Sequence, residues 1–196
     1  LVADAGTIVD IACVEYVAPS GSIQHDGNYR NGLRYVCRQG ANRFVSLKRR
    51  SGRYLYITLR NHAQPVRIRH VGVIESTYPG VESGAFDCSD PALGRLWDIC
   101  RRTLKLCMED VFTDCPLYEQ TLYTGDMRNE ALYAYTVYGA DDLARRCLTL
   151  AGQSLERYPL VGCQAPSSWE VLLPAWSFLW GIAVWEYYFY SGDREY

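Results

Sequence analysis

The chain has 196 residues, of which 48% are hydrophobic and 21% charged, and this composition excludes a disordered segment. Its formal net charge of −2 hides an asymmetry, because residues 1–80 carry 11 Lys and Arg against 5 Asp and Glu, whereas residues 81–196 carry 9 against 17. Two differently built domains are therefore expected, over residues 1–80 and 81–196, and the acidic second half argues against a nucleic-acid partner.

The first 80 residues alternate between apolar and polar side chains, which is typical of half-buried antiparallel strands. Four segments show the alternation, at residues 9–13, 33–37, 55–59 and 66–68. Clusters of Gly, Pro, Ser and Asn lie between them and predict turns, one of them at residues 26–28. The pattern predicts an antiparallel β-sandwich, with the basic run at residues 48–53 as an exposed hairpin tip.

The period of the pattern changes near residue 90, where a helix is expected to begin. Ser89 or Asp90 is placed to cap a helix that has Pro91 as its first residue. Apolar residues then recur at intervals of three and four and predict a helix as far as about residue 108. Three more helices are predicted, over residues 126–138, 142–158 and 174–190.

The later helices have boundary signals of their own. Gly139 is expected to end the second helix, and Asp141 or Asp142 to cap the third. All four helices are apolar over wide arcs, so a larger α-helical body is expected around them. The uncharged run of fifteen residues at 171–185 is shorter than the roughly 18–20 residues of a membrane span, and we interpret it as part of a buried core helix.

Cysteine and histidine are distributed in a way that predicts neither a metal site nor a cofactor. The eight cysteines show no Cys-x-x-Cys spacing, and all three histidines lie in the first half of the chain. Cysteines spread through apolar patterns are expected to be reduced, which favours a cytoplasmic protein. No membrane partner is predicted, and a homo-oligomer is left open.

The densest cluster of ionisable groups lies at residues 109–130, which hold six acids and one base, Arg128. Crowded carboxylates raise one another's pKa, and such crowding costs stability unless a function uses it. Tyr118 and Tyr123 place aromatic rings among the acids. This combination suits a sugar, because its hydroxyls need acceptors and its C–H faces stack on apolar rings.

Glu119 is the predicted general acid of a glycosidase, since neighbouring carboxylates and partial burial favour its protonated form. Asp114 and Asp126, on either side of it, are predicted to accept hydrogen bonds from sugar hydroxyls. Asp126 is also a candidate cap for the helix that follows. Trp169 is predicted at the sugar site from its loop position, with Trp176 as a second candidate.

Simpler explanations remain open for the same residues. Asp114 before Cys-Pro also fits a turn residue, and Glu119 taken alone fits a solvated loop acid. Tyr118 and Tyr123 are either walls of a sugar subsite or packing residues. Cys115 is predicted to be structural, because no basic residue beside it would generate a thiolate.

Longer segments around the acidic cluster carry a family resemblance. They are Gly84-Ala-Phe-Asp-Cys-Ser-Asp-Pro-Ala-Leu, Trp97-Asp-Ile-Cys-Arg-Arg-Thr-Leu, Cys107-Met-Glu-Asp-Val-Phe-Thr-Asp-Cys-Pro and Gly125-Asp126. From about residue 72 onward the chain resembles the bacterial α-L-rhamnosidases of glycoside hydrolase family 78. The motif of that family is Asp-Cys-Pro, a short spacer ending in Arg-Glu or a similar pair, and then Gly-Asp. By this resemblance Glu119 is the general acid, and Asp114 and Asp126 bind rhamnose hydroxyls.

The resemblance implies a β-sandwich followed by a six-hairpin α/α barrel, of which residues 81–196 would form the N-terminal part. It implies inverting hydrolysis of terminal α-L-rhamnosides, with a carbohydrate substrate and no cofactor. Two departures from the family stand out: Tyr118 replaces the Arg of many members, and the general base is expected beyond residue 196, so that neither Glu170 nor Glu186 is assigned to it. These residues alone are thus expected to be inactive, and the alternative is a non-catalytic sugar-binding or structural relative.

Overall fold

The computed structural model describes residues 1–23 and 31–196, so the turn predicted at residues 26–28 lies outside the described residues. The chain divides into two compact units. The first unit comprises Leu1–Ser76 and the short segment Leu117–Glu119, and the second comprises Thr77–Pro116 and Gln120–Tyr196. The predicted domain boundary after residue 80 stays a prediction.

The first unit is built from antiparallel strands. These are β1 Val2–Ala3, β2 Ile8–Val14, β3 Gly32–Val36, β4 Gly40–Ala41 and β5 Tyr54–Arg60. Strand β2 lies between β3 and β5 in a three-stranded sheet, and β1 pairs with β4. The alternating pattern correctly predicted the three longer strands. It was wrong for residues 66–68, where Arg67 forms only a single bridge with Val2, because an alternating segment becomes a strand only where a partner backbone continues beside it.

Hydrophobic and charged contacts hold the three-stranded sheet together. Val9 on β2 is buried with Cys37 and packs against neighbours that include Ile57. On β2, Asp10 accepts a hydrogen bond from Nε of Arg34 on β3 at 2.7 Å and is also paired with Arg60 on β5. The hydrogen-bonded Arg34 guanidinium lowers the pKa of Asp10 below its usual value.

The second unit begins with helix α1, Pro91–Cys107. Asp90 rather than Ser89 caps this helix, because its Oδ1 accepts a hydrogen bond from the Ala92 N–H at 2.8 Å and Pro91 occupies the first position. Leu104 and Cys107 bury the last turns of α1. The predicted start and end of this helix are confirmed.

Three further helices follow, α2 Thr124–Val137, α3 Asp141–Gln153 and α4 Pro174–Ser191. The capping predictions for α2 and α3 were wrong, because Asp126 lies in the first turn of α2, and Asp141 and Asp142 lie in the first turn of α3. Helix α2 begins earlier because a distant loop supplies its acceptors. The Thr124 N–H donates to the Cys163 carbonyl at 2.9 Å, and Thr124 Oγ1 donates to the Gly162 carbonyl at 2.8 Å.

The core of the second unit lies between α2, α3 and the segment that follows α1. Its most deeply buried large side chains include Phe112, Met127 and Leu148. Helix α4 packs on α2 and α3 and ends at Gly192, whose φ of 71° suits a glycine. It buries only Ala183, Glu186 and Tyr187, so the prediction of a buried core helix holds for one face of α4.

Two further observations concern the cysteines and the apolar helices. All eight cysteines are free thiols, five of them buried, as expected for reduced core residues. None of the helices in the ranges 1–23 and 31–196 combines the length and the apolar character that crossing a bilayer requires.

Candidate active site

A closed loop between α1 and α2, residues 114–121, carries the predicted acid and one predicted sugar-binding aspartate; we call it the acidic loop. The Asp114 N–H donates to the Thr121 carbonyl at 3.1 Å, and the Thr121 N–H donates back to Asp114 Oδ1 at 3.0 Å. Inside the loop, Gln120 Nε2 donates to the Pro116 carbonyl at 2.7 Å. Asp114 therefore acts as a turn residue, and its half-buried carboxylate is fixed in place.

Tyr118 and Glu119 lie near the end of the acidic loop. Glu119 is exposed and Tyr118 half-buried, and both belong to the segment Leu117–Glu119 that groups with the first unit. Along this short stretch of chain, one ligand atom each of Asp114, Cys115 and Glu119 lie within 4.8 Å of one another. Carboxylate and thiolate groups at this spacing can surround a cation, but exposed acidic groups are common without one.

The first turn of α2 holds the second predicted sugar-binding aspartate. Asp126 is half-buried two residues after Thr124, which anchors the start of the helix. Burial raises the pKa of Asp126 above its usual value, and the negative charge of Asp114 raises it further. Asp114 therefore lies close enough to Asp126 for its charge to raise the pKa of Asp126.

Glu130 is a third carboxyl in this group, and the sequence had not singled it out as a site residue. It follows Asp126 by one helical turn, so the two side chains lie on the same face of α2. Burial raises the pKa of Glu130 to about 9, with the charges of Asp126 and Asp114 contributing next. The spacing of four residues within a predicted helix was the signal that could have found it.

Arg128, the one base of the acidic cluster, is engaged with α4. Its Nε donates to Oε2 of Glu186 at 2.9 Å, and its Nη2 pairs with the other carboxylate oxygen. Glu186 is buried, and the carboxylate raises the pKa of Arg128 through this hydrogen bond. The bidentate pair joins α2 to α4. Because Arg128 pairs with Glu186, Asp114, Asp126 and Glu130 form a group of acids without this base.

The aromatic candidates occupy different environments. Tyr123 is half-buried immediately before α2 and forms a bridge with Gln164. Trp169 is 48% exposed, and its backbone N–H donates to Ser167 Oγ at 3.0 Å. Trp176 packs against the backbone of α2, so that a Cβ added at Gly125 would lie 2.5 Å from its Cε2 atom.

The structure thus brings together some of the predicted residues. Asp114, Asp126 and Glu130 form an electrostatically coupled group within the second unit. Trp176 reaches the same turn of α2 through Gly125. Trp169 shows no such link to these carboxylates among the described residues, so its role at a sugar site stays a prediction.

Comparison with known proteins identifies the fold of the second unit. The model of the bacterial α-L-rhamnosidase six-hairpin glycosidase domain matches residues 81–196. The crystal structure of a family 78 rhamnosidase of Bacillus sp. GL1 is similar over 95% of this chain, with 44% sequence identity and a TM-score of 0.90. This chain covers 20% of that structure, about a fifth of its length.

More distant rhamnosidases share the fold. The Klebsiella oxytoca rhamnosidase with rhamnose bound is 17% identical over 97% of this chain and 40% of its own, with a TM-score of 0.60. The Aspergillus terreus α-L-rhamnosidase is 16% identical over 98% of this chain and 25% of its own, with a TM-score of 0.73. No curated protein matches the chain. On the family-model match and the 44% identity to the Bacillus structure, the chain belongs to the bacterial α-L-rhamnosidases of glycoside hydrolase family 78.

Proposed function

We propose that the full-length protein containing this chain hydrolyses terminal α-L-rhamnosides with inversion of configuration. The observation that carries the proposal is the match of residues 81–196 to a rhamnosidase catalytic domain, since this range includes the whole acidic cluster at residues 109–130. The β-sandwich and the α/α barrel expected from the sequence belong to the same proposal.

Glu119 is proposed as the general acid. Inverting hydrolysis needs one carboxylic acid to protonate the departing glycosidic oxygen and a second carboxylate to activate water on the opposite face of the sugar. An exposed glutamate at the end of a closed loop can reach a substrate, and its fixed neighbour Asp114 limits where the loop can move. Asp114 and Asp126 are proposed to accept hydrogen bonds from rhamnose hydroxyls.

The general base is proposed to lie outside these 196 residues. Glu186 is occupied by its bidentate pair with Arg128. Glu170 is exposed and pairs with Arg157 at 3.8 Å. The pair with Arg128 makes Glu186 a poor candidate for activating a water, and neither glutamate is assigned as the base.

The alternative, a non-catalytic sugar-binding or structural relative, is motivated by two features: Tyr118 stands in place of Arg, and none of these 196 residues is assigned as the general base. The similar solved structures are rhamnosidases, and none of the comparisons supports the alternative. We therefore retain the hydrolase as the proposed function, with sugar binding without turnover as the outcome that would favour the alternative.

The test is the Glu119→Gln variant of the full-length protein. We expect kcat on an aryl α-L-rhamnoside to fall by about 10²- to 10⁴-fold, because a general acid contributes that much to the rate. The loss should be larger for an alkyl rhamnoside, whose leaving group needs protonation more. A proton NMR time course with the wild type should show the β-anomer of rhamnose as the first product.

The matched control is Glu156→Gln, an exposed glutamate in the 3-10 turn Ser154–Glu156 after α3, which should keep the wild-type rate. A wild-type rate in Glu119→Gln would remove Glu119 from the mechanism. A wild-type protein that binds rhamnose without hydrolysing any rhamnoside would favour the non-catalytic alternative.

A further inference from the structure

We propose that Glu130 is a positioning residue that acts through Asp126: as a half-buried carboxylic acid one helical turn away, with its Oε2 atom buried, it donates a hydrogen bond to the Asp126 carboxylate when that carboxylate accepts from a sugar hydroxyl. This role rests on the rhamnoside-hydrolase function proposed above. It adds a residue that the acidic motif around Glu119 does not contain.

The first argument is the placement of the two side chains on one rigid turn. Asp126 and Glu130 are separated by four residues in α2, and such pairs are neighbours on a helix surface. The turn is fixed at its start by the two hydrogen bonds of Thr124, and Trp176 packs closely against Gly125. The backbone that carries Asp126 and Glu130 therefore has little freedom to move.

The second argument is an unsatisfied atom. Oε2 of Glu130 is buried and has no hydrogen-bond partner within the described ranges of the chain. Buried polar atoms are nearly always hydrogen-bonded, and an exception calls for an explanation. The unsatisfied Oε2 atom is explained if Glu130 forms its hydrogen bond to Asp126 only when Asp126 turns toward the sugar.

The third argument concerns charge. In the described ranges 1–23 and 31–196, the titratable groups that interact electrostatically with Glu130 are Asp126 on the same helix, Asp114 in the acidic loop and Cys147 on α3, and none of them carries a positive charge. Partial burial and nearby negative charge both disfavour an ionised carboxylate, so they favour the protonated form of Glu130.

Glu130 is the carboxyl of this group that keeps its proton. Burial and the neighbouring carboxylates raise its pKa to about 9, so at neutral pH the Glu130 carboxyl keeps a proton that it can donate to Asp126. A protonated Glu130 also adds no third negative charge to the site. Above about pH 9 it would ionise, and both advantages would be lost.

The experiment measures rhamnose binding by titration calorimetry in the full-length Glu119→Gln background, so that turnover does not interfere. Glu130→Met keeps the bulk of the side chain and removes the donor, and we expect it to weaken rhamnose binding at pH 7 by about 10- to 100-fold, the effect of losing a hydrogen bond to a charged group. Glu130→Gln keeps a neutral donor and should restore most of that affinity.

The pH dependence separates positioning from a merely structural role. With Glu130 present, rhamnose affinity should decline as pH rises through about 9, because the donor is lost and a negative charge appears beside Asp126. With Glu130→Gln this decline should disappear, because an amide does not titrate. The Glu156→Gln control should keep the decline.

Several outcomes would overturn the inference. They are equal rhamnose affinity in Glu130→Met and its parent, or the same pH profile in Glu130→Gln and its parent. If Glu130→Met fails to fold, the pH profile of Glu130→Gln decides the question alone. A protein with a wild-type Glu130 that neither binds rhamnose nor hydrolyses a rhamnoside would overturn the proposed function itself, whereas hydrolysis with no Glu130 effect would overturn only the positioning role.

Discussion

Gly125 immediately precedes Asp126 and lies against the indole ring of Trp176. A Cβ at this position would meet Trp176 Cε2 at 2.5 Å and Nε1 at 2.7 Å, distances that no packed side chain tolerates. The glycine therefore allows the indole to approach the backbone of the turn that presents Asp126. This contact explains in packing terms why a residue without a side chain stands before the candidate sugar-binding aspartate.

We predict that Gly125→Ala lowers the stability of the second unit by about 1–3 kcal/mol, because the added methyl group forces the indole ring away. The measurement is the midpoint of thermal unfolding of the full-length protein. Gly94→Ala in α1 is the control, since a Cβ there meets nothing within 4 Å and alanine favours a helix. Equal midpoints for the two variants would show that Trp176 moves aside without cost.

At the scale of elements, the ion pair of Arg128 and Glu186 links α2 to α4. Its two hydrogen-bonding contacts leave the buried carboxylate of Glu186 neutralised. A buried ion pair adds little net stability compared with apolar residues, yet removing one partner is costly because the other charge stays buried. The pair thus fixes which faces of the two helices meet.

We predict that Arg128→Met destabilises the protein by about 3–5 kcal/mol, whereas the double replacement Arg128→Met with Glu186→Leu recovers most of that loss. Denaturant unfolding of the single and double variants measures both effects. Retained rhamnosidase activity in the double variant would also exclude Glu186 as a base. A single variant that unfolds at the same denaturant concentration as the wild type would contradict the structural role of the pair.

Local signals determined which elements could be predicted from the sequence. Helix α1 was predicted well because Asp90 and Pro91 supply its cap within the chain, and Gly192 marks the end of α4 in the same way. The start of α2 was missed because its acceptors are the carbonyls of Gly162 and Cys163, almost forty residues later in the chain. No local pattern contains that information.

The same difference between local and long-range signals determined which residues of the candidate site could be predicted. The acidic loop was predicted because its residues follow one another in a recognisable motif. Glu130 was missed because its raised pKa depends on burial and on the charges of Asp126 and Asp114, and only the folded chain produces the burial. The close packing of Trp176 on Gly125 likewise joins residues that are far apart in sequence.

At the scale of the whole molecule, both outer helices carry apolar side chains that the described residues leave exposed. On α4 these are Phe178, Trp185 and Phe189, with exposed fractions of 74%, 61% and 66%. Helix α1 adds Leu93, Leu96 and Ile99. Several large apolar side chains exposed on one helix are typical of an interface, and in the Bacillus structure the matching part is a fifth of the chain.

We predict that the 196 residues produced alone bind a hydrophobic dye and self-associate, because these apolar side chains are exposed to water. The full-length protein should do neither if further helices cover α1 and α4. Dye fluorescence and light scattering of the two preparations make the comparison. A monomeric 196-residue chain without dye binding would show that the exposed side chains need no cover.

The cross-strand charges around Asp10 have a consequence for how the sheet of the first unit is aligned. Arg34 and Arg60 approach this carboxylate from the strands on either side. A shift of either edge strand by a single residue would turn its arginine to the opposite surface of the sheet. Asp10 would then lack that counterion. The Asp10 carboxylate therefore favours one register of the three-stranded sheet. The apolar residues of these strands alone would specify that register less strongly.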